Sequence, residues 1–303
     1  MTPDAVDGSA FAPAKINLFL HVGPLDAGGM HPLCSLMVFA DVGDRISAAP
    51  ADAFSLSIDG PFGDGLDGEA DNLVTRAARA LLSGVGRPNE ALALVLTKAL
   101  PLAAGLGGGS SDAGATLRLL RKRLTLDIDD AGLEAIAGSL GADGAACLFG
   151  HPVIGEGRGE RLSPAPGLPL LHAVLVNPGA PSPTGAVYRA YDEQVRGATP
   201  DRPIMPKTFA DIGETVAFLA DCRNDLEAPA IGLSPVIGEA LAMLASQPES
   251  LLTRMSGSGA TCFVLCATRR EARTLADRVA AGRADWWVRA CRLGGPWSDG
   301  AAR

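Results

Sequence analysis

Apolar and polar residues alternate over residues 11–22, a pattern typical of a β-strand whose two faces differ. One face carries aliphatic side chains, and the other carries Lys15 and Asn17 as neighbours. The pattern therefore predicts a half-buried strand with a polar pair on its second face. Comparable apolar runs predict further strands over 32–42, 44–49, 54–58, 91–96, 171–176, 262–266 and 287–292.

Apolar residues spaced three or four positions apart predict amphipathic helices in other segments. Gly141 follows the third of these helices, and we expect it to end that helix in a left-handed conformation. A turn-rich hairpin is predicted to begin at Val153. The predicted helices cover 72–83, 111–124, 133–140, 209–220, 235–245 and 270–280.

Proline and glycine are concentrated at 163–167, which predicts a linker between two parts of the chain. A chain of 303 residues is long enough for about two domains, and this linker divides it into domains 1–165 and 166–303. Strands and helices are predicted in both parts. The expected fold class is therefore mixed α/β (α+β) in two domains, the second resembling a small α/β sandwich.

Charge and cysteine content limit the partners that the protein can have. The net charge is −8 and the longest basic run is 121–123, so we expect no nucleic-acid partner. No apolar run approaches the ~18 residues of a membrane span, so no membrane partner is expected. The six cysteines form no C-x-x-C pair, which favours buried, reduced thiols in a cytoplasmic protein.

Glycine makes up 37 of the 303 residues, and four glycines lie in segment 101–112, between a predicted strand and a predicted helix. Residues without a Cβ let backbone N–H groups approach a ligand, and a helix start adds unpaired N–H donors. The segment is therefore predicted to bind a di- or triphosphate, the alternative being a flexible linker. It lacks the lysine of a Walker loop, and Ser110 stands where a dinucleotide fingerprint has glycine.

Several other polar features have an ordinary interpretation when each is taken alone. Lys15 is typical of a charge on an edge strand, and Asp143 of a solvated turn residue. The Gly-Ser cluster at 255–261 is typical of a turn. Asp127 follows the glycines at a separation that suits a ribose contact, but segment 127–130 is better interpreted as a helix cap.

Taken together, three ordered motifs resemble the GHMP kinase family. They are PAKINL at 13–18, PLAAGLGGGSSD at 101–112 and SGSGAT at 256–261. Members of this family phosphorylate small hydroxylated metabolites with ATP. The resemblance covers 11–293 and is strongest to the branch that phosphorylates the tertiary hydroxyl of CDP-methylerythritol, in the non-mevalonate route to isoprenoid precursors. The shorter stretches that point to this branch are 29–33, 71–73, 141–143, 177–179 and 224–227.

The resemblance implies a fold and two catalytic residues. The expected fold is an N-terminal ATP-binding domain with a left-handed crossover, followed by a ferredoxin-like C-terminal domain. Asp143 is expected to take the proton of the acceptor hydroxyl. Lys15 is expected to stabilise the charge on Asp143 and the charge that develops in the transition state.

The resemblance also implies two ligand-binding sets and a small-molecule partner. ATP is expected with Mg²⁺ as its counter-ion, the metal ligands being left open, and the protein is expected to be a monomer or weak homodimer. The residues expected at the phosphates are Pro101, Leu102, Ala103, Ala104, Gly105, Leu106, Gly107, Gly108, Gly109, Ser110 and Ser111, with Asn72, Leu73 and Lys98 near the adenine. The residues expected at CDP-methylerythritol are Asn17, Met30, His31, Thr184 and Tyr188.

Two positions depart from the family pattern. Met30 stands where tyrosine is usual, so we expect weaker stacking on the cytosine ring. Gly144, Ala145 and Ala146 stand where Val-Pro commonly follows the aspartate, so we expect a looser loop and poorer positioning of Asp143. Two alternatives therefore stay open: a GHMP kinase for another alcohol, and a nucleotide-binding protein with little kinase activity.

Overall fold

The computed structural model describes residues 8–64, 66, 71–194 and 201–297, so the start of the first predicted domain and the end of the second lie outside the described residues. The strands are β1 Ser9–Val22, β2 Leu33–Pro50, β3 Ser55–Asp59, β4 Leu92–Thr97, β5 Val153–Gly157, β6 Arg161–Pro164, β7 Leu171–Asn177, β8 Leu252–Met255, β9 Cys262–Cys266 and β10 Trp287–Gly294. The helices are α1 Leu73–Gly84, α2 Gly108–Arg123, α3 Asp130–Leu140, α4 Gly144–Phe149, α5 Thr184–Gln194, α6 Ile212–Ala220, α7 Glu227–Leu233, α8 Pro235–Ala245 and α9 Arg269–Gly282.

Strand β2 is the hub of the sheet. Residues 33–47 of β2 pair with the whole of β1 in an antiparallel ladder that has two register shifts. The other pairings of β2 are shared among three strands in turn: β5 at its start, β10 opposite Phe39 and Ala40, and β4 from Arg45 onwards. Strand β3 lies parallel to β4 beyond it. Because β10 ends the described C-terminal half, this sheet joins the two halves of the chain.

The C-terminal half has the strand order β10-β7-β9-β8, and every neighbouring pair in it is antiparallel. In chain order these are strands four, one, three and two of a βαββαβ unit. That arrangement confirms the expected ferredoxin-like domain. The handedness of the β3–α1–β4 crossover and the domain boundary at 165/166 stay predictions.

Helices cover the sheet in two groups, each burying its apolar face. Helices α1, α2 and α3 pack near β2 and β4 around Leu81, Leu94 and Leu117. Helices α5, α7, α8 and α9 pack near β7 and β9 around Leu244 and Leu275. In the described part of the chain, no helix has the length and apolarity to cross a membrane. All six cysteines are buried and free, as predicted.

Strand β1 is buried on both faces, so the prediction of a half-buried strand was wrong. Lys15 is 4% exposed and Asn17 is 3% exposed. The backbone N–H of Lys15 donates to the carbonyl of Leu106, and that of Asn17 donates to the hydroxyl of Ser256. The second face is thus covered by the other two motifs, which alternation along β1 could not reveal.

The predicted helices form, with differences at their ends. Asp129 caps α3 through its side chain, which confirms the cap predicted at 127–130. Helix α2 begins at Gly108, earlier than predicted, because Gly107 adopts the left-handed conformation of its N-cap. Gly141 ends α3 as predicted, but it does so in an extended conformation (φ 166°) and not in a left-handed one. Strand β6 runs to Pro164 and takes the first two residues of the predicted linker. Helices α4, α5 and α7 and strand β8 were not predicted.

Candidate active site

A cavity of about 910 Å³ opens where the three motifs meet. Its size lies within the range of small-molecule sites. One end is bordered by Asn72 and the glycine-rich turn that precedes α2, and the other by His31 and Tyr188. Lys15 and Asp143 border the same cavity.

The glycine-rich turn has the backbone that a phosphate cradle requires. Gly105 (φ 73°) and Gly107 (φ 61°) are left-handed, and even Ala103 has φ 48°. The turn leads directly into α2, whose first N–H groups lack partners within the helix. An added Cβ at Gly105 would overlap the carbonyl oxygen of Ser256. Glycine is therefore required there both by conformation and by space.

Hydrogen bonds join this turn to the third motif. The hydroxyl of Ser256 donates to the carbonyl of Gly105 over 3.0 Å. The N–H of Thr261 donates to the carbonyl of Ala104 over 3.2 Å. Residues far from the turn in sequence thus hold it in place, which gives the cradle a fixed shape before any ligand binds.

Lys15 and Asp143, which both line the cavity, form an ion pair. The Lys15 ammonium lies 3.0 Å from Asp143 Oδ2 and donates to Asn17 Oδ1 over 2.8 Å. The Asn17 amide donates in turn to Ser35, whose hydroxyl donates to the carbonyl of Phe19. The lysine is therefore held in one position, while the Asp143 side chain keeps 35% of its surface exposed.

The residues after Asp143 are helical, which corrects the expectation of a looser loop. Gly144 begins α4, and Gly144 and Ala146 are buried. An added Cβ at Gly144 would overlap the carbonyl oxygen of Ala137 in α3. The N–H of Cys147 donates to the Asp143 carbonyl over 2.9 Å. Close packing of α3 on α4 thus holds the backbone of Asp143 without the Val-Pro pair.

Aromatic rings line the opposite end of the cavity. The rings of His31 and Tyr188 lie 4.9 Å apart, centroid to centroid. His31 Nδ1 lies 2.9 Å from the carbonyl of Gly23, and its Nε2 lies 3.4 Å from Asp192. Burial raises the pKa of Tyr188 to about 12, so this ring is a neutral phenol at physiological pH. Met30 is 41% exposed at the rim.

Beside the glycine-rich turn, Asn72 caps α1 by accepting the N–H of Val74 over 2.9 Å. Lys98 is 3% exposed, and its ammonium donates to two buried carboxylates, Asp44 at 2.5 Å and Asp112 at 2.8 Å. The ammonium is thus committed to internal partners. Contact of the Lys98 side chain with a nucleotide stays a prediction.

Two family models match the chain. The model of the GHMP kinases N terminal domain matches residues 72–151, and the model of the GHMP kinases C terminal domain matches 208–284. The chain belongs to the GHMP kinase family. The enzyme is therefore a small-molecule kinase that uses ATP.

Relatives resemble this kinase over nearly its whole length. It is 61% identical over 289 residues to the 4-diphosphocytidyl-2-C-methyl-D-erythritol kinase of Caulobacter sp. (strain K31), covering 95% of this chain and 99% of that one. It is 48% identical to the kinase of the same name from Hyphomonas neptunium, covering 94% and 96%. A crystal structure of 4-(cytidine 5'-diphospho)-2C-methyl-D-erythritol kinase matches with a TM-score of 0.74 and 34% identity, covering 95% and 100%.

The kinase brings together the predicted site residues with one exception. Ser111 is completely buried, and its hydroxyl donates to the carbonyl of Pro13 over 2.7 Å, away from the cavity lining. The predicted residues that line the cavity are Lys15, Asn17, Met30, His31, Asn72, Leu73, Lys98, Pro101, Leu102, Ala103, Ala104, Gly105, Leu106, Gly107, Gly108, Gly109, Ser110, Asp143, Thr184 and Tyr188.

Sequence reasoning missed other residues that border the cavity. Asp112 lies in the second motif but was assigned no role. Arg158, Arg189 and Asp192 lie outside the three motifs, so no sequence pattern indicated them. Ser258 lies in the third motif, and its hydroxyl lies 2.9 Å from that of Thr184. Among the described residues, no group of three or more His, Cys, Asp or Glu side chains is arranged to hold a metal ion.

Proposed function

We propose that this kinase transfers the γ-phosphate of ATP to the tertiary hydroxyl of CDP-methylerythritol. The observation that carries the proposal is the Lys15–Asp143 pair, 3.0 Å apart, in the cavity between the glycine-rich turn and the His31–Tyr188 rings. The phosphates of ATP and the cytidine ring of the acceptor then each have a matching surface. The names of the relatives at 61% identity support the same substrate.

The phosphate end is supported by the backbone of the glycine-rich turn and the N-terminus of α2. Left-handed glycines and a 16-residue helix suit a polyphosphate, because free N–H groups and the helix dipole both favour negative charge. We expect Mg²⁺ to arrive bound to ATP, where it neutralises phosphate charge. This cradle explains how a protein of net charge −8 binds an anion through local donors.

In the proposed reaction, Asp143 accepts the proton of the hydroxyl as that oxygen attacks. Its partly exposed carboxylate can reach a ligand, and its backbone is held by α4. Lys15 stays on the strand side, oriented by Asn17, where its charge stabilises the transferring phosphoryl group. Phosphoryl transfer depends mainly on such positioning and charge stabilisation.

The substrate end supports a cytidine ring. Tyr188 and His31 offer an aromatic surface against which a base can stack. Thr184, at the start of α5, presents a hydroxyl 2.9 Å from that of Ser258, and both residues line the same cavity. We expect these groups to align the diphosphate and the methylerythritol unit.

Steady-state kinetics with ATP and CDP-methylerythritol tests the proposal. Wild type should form ADP and phosphorylated product in equal amounts. Lys15→Ala and Asp143→Asn should each lower kcat by about 10²-fold or more, because they remove transition-state charge stabilisation and the base. Lys122→Ala and Asp127→Asn make the same charge changes at exposed positions and should leave the kinetics unchanged.

Other outcomes would support the alternatives. Phosphorylation of homoserine or mevalonate, with none of CDP-methylerythritol, would replace the substrate. ATP-dependent thermal stabilisation with equal background turnover in wild type and Asp143→Asn would indicate a nucleotide-binding protein instead.

A further inference from the structure

Beneath the glycine-rich turn lies a buried trio of charged residues, which we call the brace: Asp44 of β2, Lys98 directly after β4 and Asp112 one turn into α2. Each is at most 3% exposed. An added Cβ at Gly108 would lie 3.5 Å from the Lys98 ammonium and 3.7 Å from Asp44 Oδ2. The brace therefore touches the underside of the backbone that is proposed to hold the phosphates of ATP.

The two carboxylates of the brace are bonded unequally. Asp44 Oδ1 accepts the N–H groups of Ala99 and Leu100 at 2.6 and 2.9 Å, and its Oδ2 accepts Lys98. Asp112 Oδ2 accepts Lys98, but its Oδ1 is buried without a partner among the described residues. An ionised oxygen left unpaired and buried is far more costly than a neutral one. Negative charge is therefore better placed on Asp44.

The net charge of the brace also favours an ionised Asp44 and a neutral Asp112. Two ionised carboxylates and one ammonium would leave a buried excess of one negative charge directly below the phosphate cradle. Burial raises the pKa of Asp112 to about 8, and the effect of neighbouring Lys98 in the opposite direction is too small to reverse this. Burial alone would lower the pKa of Lys98, but Asp112 and Asp44 raise it above its ordinary value.

Groups on several elements packed around α2 lie near Asp112. Lys98 donates a hydrogen bond to Asp112 and another to Asp44. Lys15 of β1 packs against Gly107, at the start of the same helix. From α4, burial raises the pKa of Cys147 to about 12, so this thiol stays uncharged. The buried residues of α1 and α3 carry no charge.

We propose that Asp112 is a positioning residue that holds the phosphate-binding turn through Lys98 as a neutral carboxylic acid. Its proton makes the brace electrically neutral, so the cradle keeps its attraction for phosphate. Loss of that proton places one buried negative charge beneath the bound triphosphate and weakens ATP binding. The inference rests on the proposed ATP site, and it assigns a role to a residue that need not touch ATP.

Calorimetric titration of the full chain with Mg²⁺–ATP, without acceptor, tests this role. For wild type, the dissociation constant should rise about tenfold between about pH 7 and about pH 9 if only the neutral acid is competent. Asp112→Asn, which imitates the neutral acid, should show no such rise. Asp112→Leu, which removes the bond to Lys98, should bind ATP weakly at every pH. Asp127→Asn, an exposed control beyond the same helix, should follow wild type.

Each result bears on one idea only. If wild type binds no ATP at any pH, the proposed function fails before the brace is tested. If wild type binds ATP and Asp112→Asn weakens with pH as wild type does, the role of Asp112 is wrong. The same conclusion follows if Asp112→Asn folds normally but loses ATP affinity at neutral pH, because an ionised carboxylate would then be required. The Asn comparison stays decisive even if the Leu variant does not fold.

Discussion

Met30 occupies the rim of the cavity at the end where Tyr188 and His31 offer their rings. A thioether packs against a base but lacks the flat face of an aromatic ring. Stacking on an aromatic side chain contributes ~1–3 kcal/mol per base. At this position the protein therefore forgoes part of the affinity that its proposed substrate could have.

Met30→Tyr should lower the KM for CDP-methylerythritol by about threefold to tenfold and leave kcat nearly unchanged. Binding that is equal in the ground state and the transition state changes KM alone. Leu25→Tyr adds a ring at another exposed point of the same rim and should give no gain. An unchanged KM in Met30→Tyr, or an equal gain in Leu25→Tyr, would show that Met30 does not face the base.

At the scale of single residues, the sequence predicted the residues that line the cavity better than the buried residues that support them. Motif resemblance placed Lys15 and Asp143 in one cavity, although alternation alone made Lys15 an edge-strand charge. The brace was not predictable, because Asp44 and Asp112 contact Lys98 only after three separate elements have packed together. No local spacing encodes such a contact.

Among the elements, the α3–α4 corner determines where Asp143 lies. The two helices meet so closely that Gly144 has no room for a methyl group beneath the Ala137 carbonyl. A six-residue helix has little stability of its own, and tertiary contacts must supply the rest. The same shortness explains why periodicity could not predict α4, whereas the longer helices α1, α2 and α9 were found.

Gly144→Ala should destabilise the protein by about 2 kcal/mol or more, because the helices must separate to admit the methyl group. It should also lower kcat by moving Asp143. Gly138→Ala, inside α3 with open space around it, should instead stabilise by about 0.5–1 kcal/mol. Urea unfolding and steady-state kinetics measure both effects. Equal behaviour of the two variants would contradict the packing argument.

For the whole molecule, the raised pKa of Asp112 couples folding to pH. In the unfolded chain this carboxyl ionises near 3.8, while in the folded protein it keeps its proton to about pH 8. The folded state therefore binds more protons across that range, and stability should fall as pH rises through it. One proton limits the slope to about 1.4 kcal/mol per pH unit.

Urea unfolding of wild type and Asp112→Asn between about pH 5 and about pH 8 measures this coupling. The variant should lose less stability than wild type as pH rises, and Asp127→Asn should behave like wild type. A parallel decline in all three proteins would mean that Asp112 is already ionised in the folded state.

The two-domain α/β class was predictable at this scale, and so were most strands, because buried strands carry long apolar runs. The pairing of the strands was not predictable. Strand β2 takes neighbours from both halves of the chain, and those contacts join residues far apart in sequence.

The ladder between β2 and β10 pairs Ala40 with Leu293 and Phe39 with Gly294. During translation, β2 therefore leaves the ribosome long before the strand that fills the middle of its edge has been made. Segment 256–261, which holds the glycine-rich turn, is also synthesised late. The nascent N-terminal half must wait with an open sheet edge, a state prone to misassociation. The cavity can therefore be completed only after segment 256–261 has been synthesised.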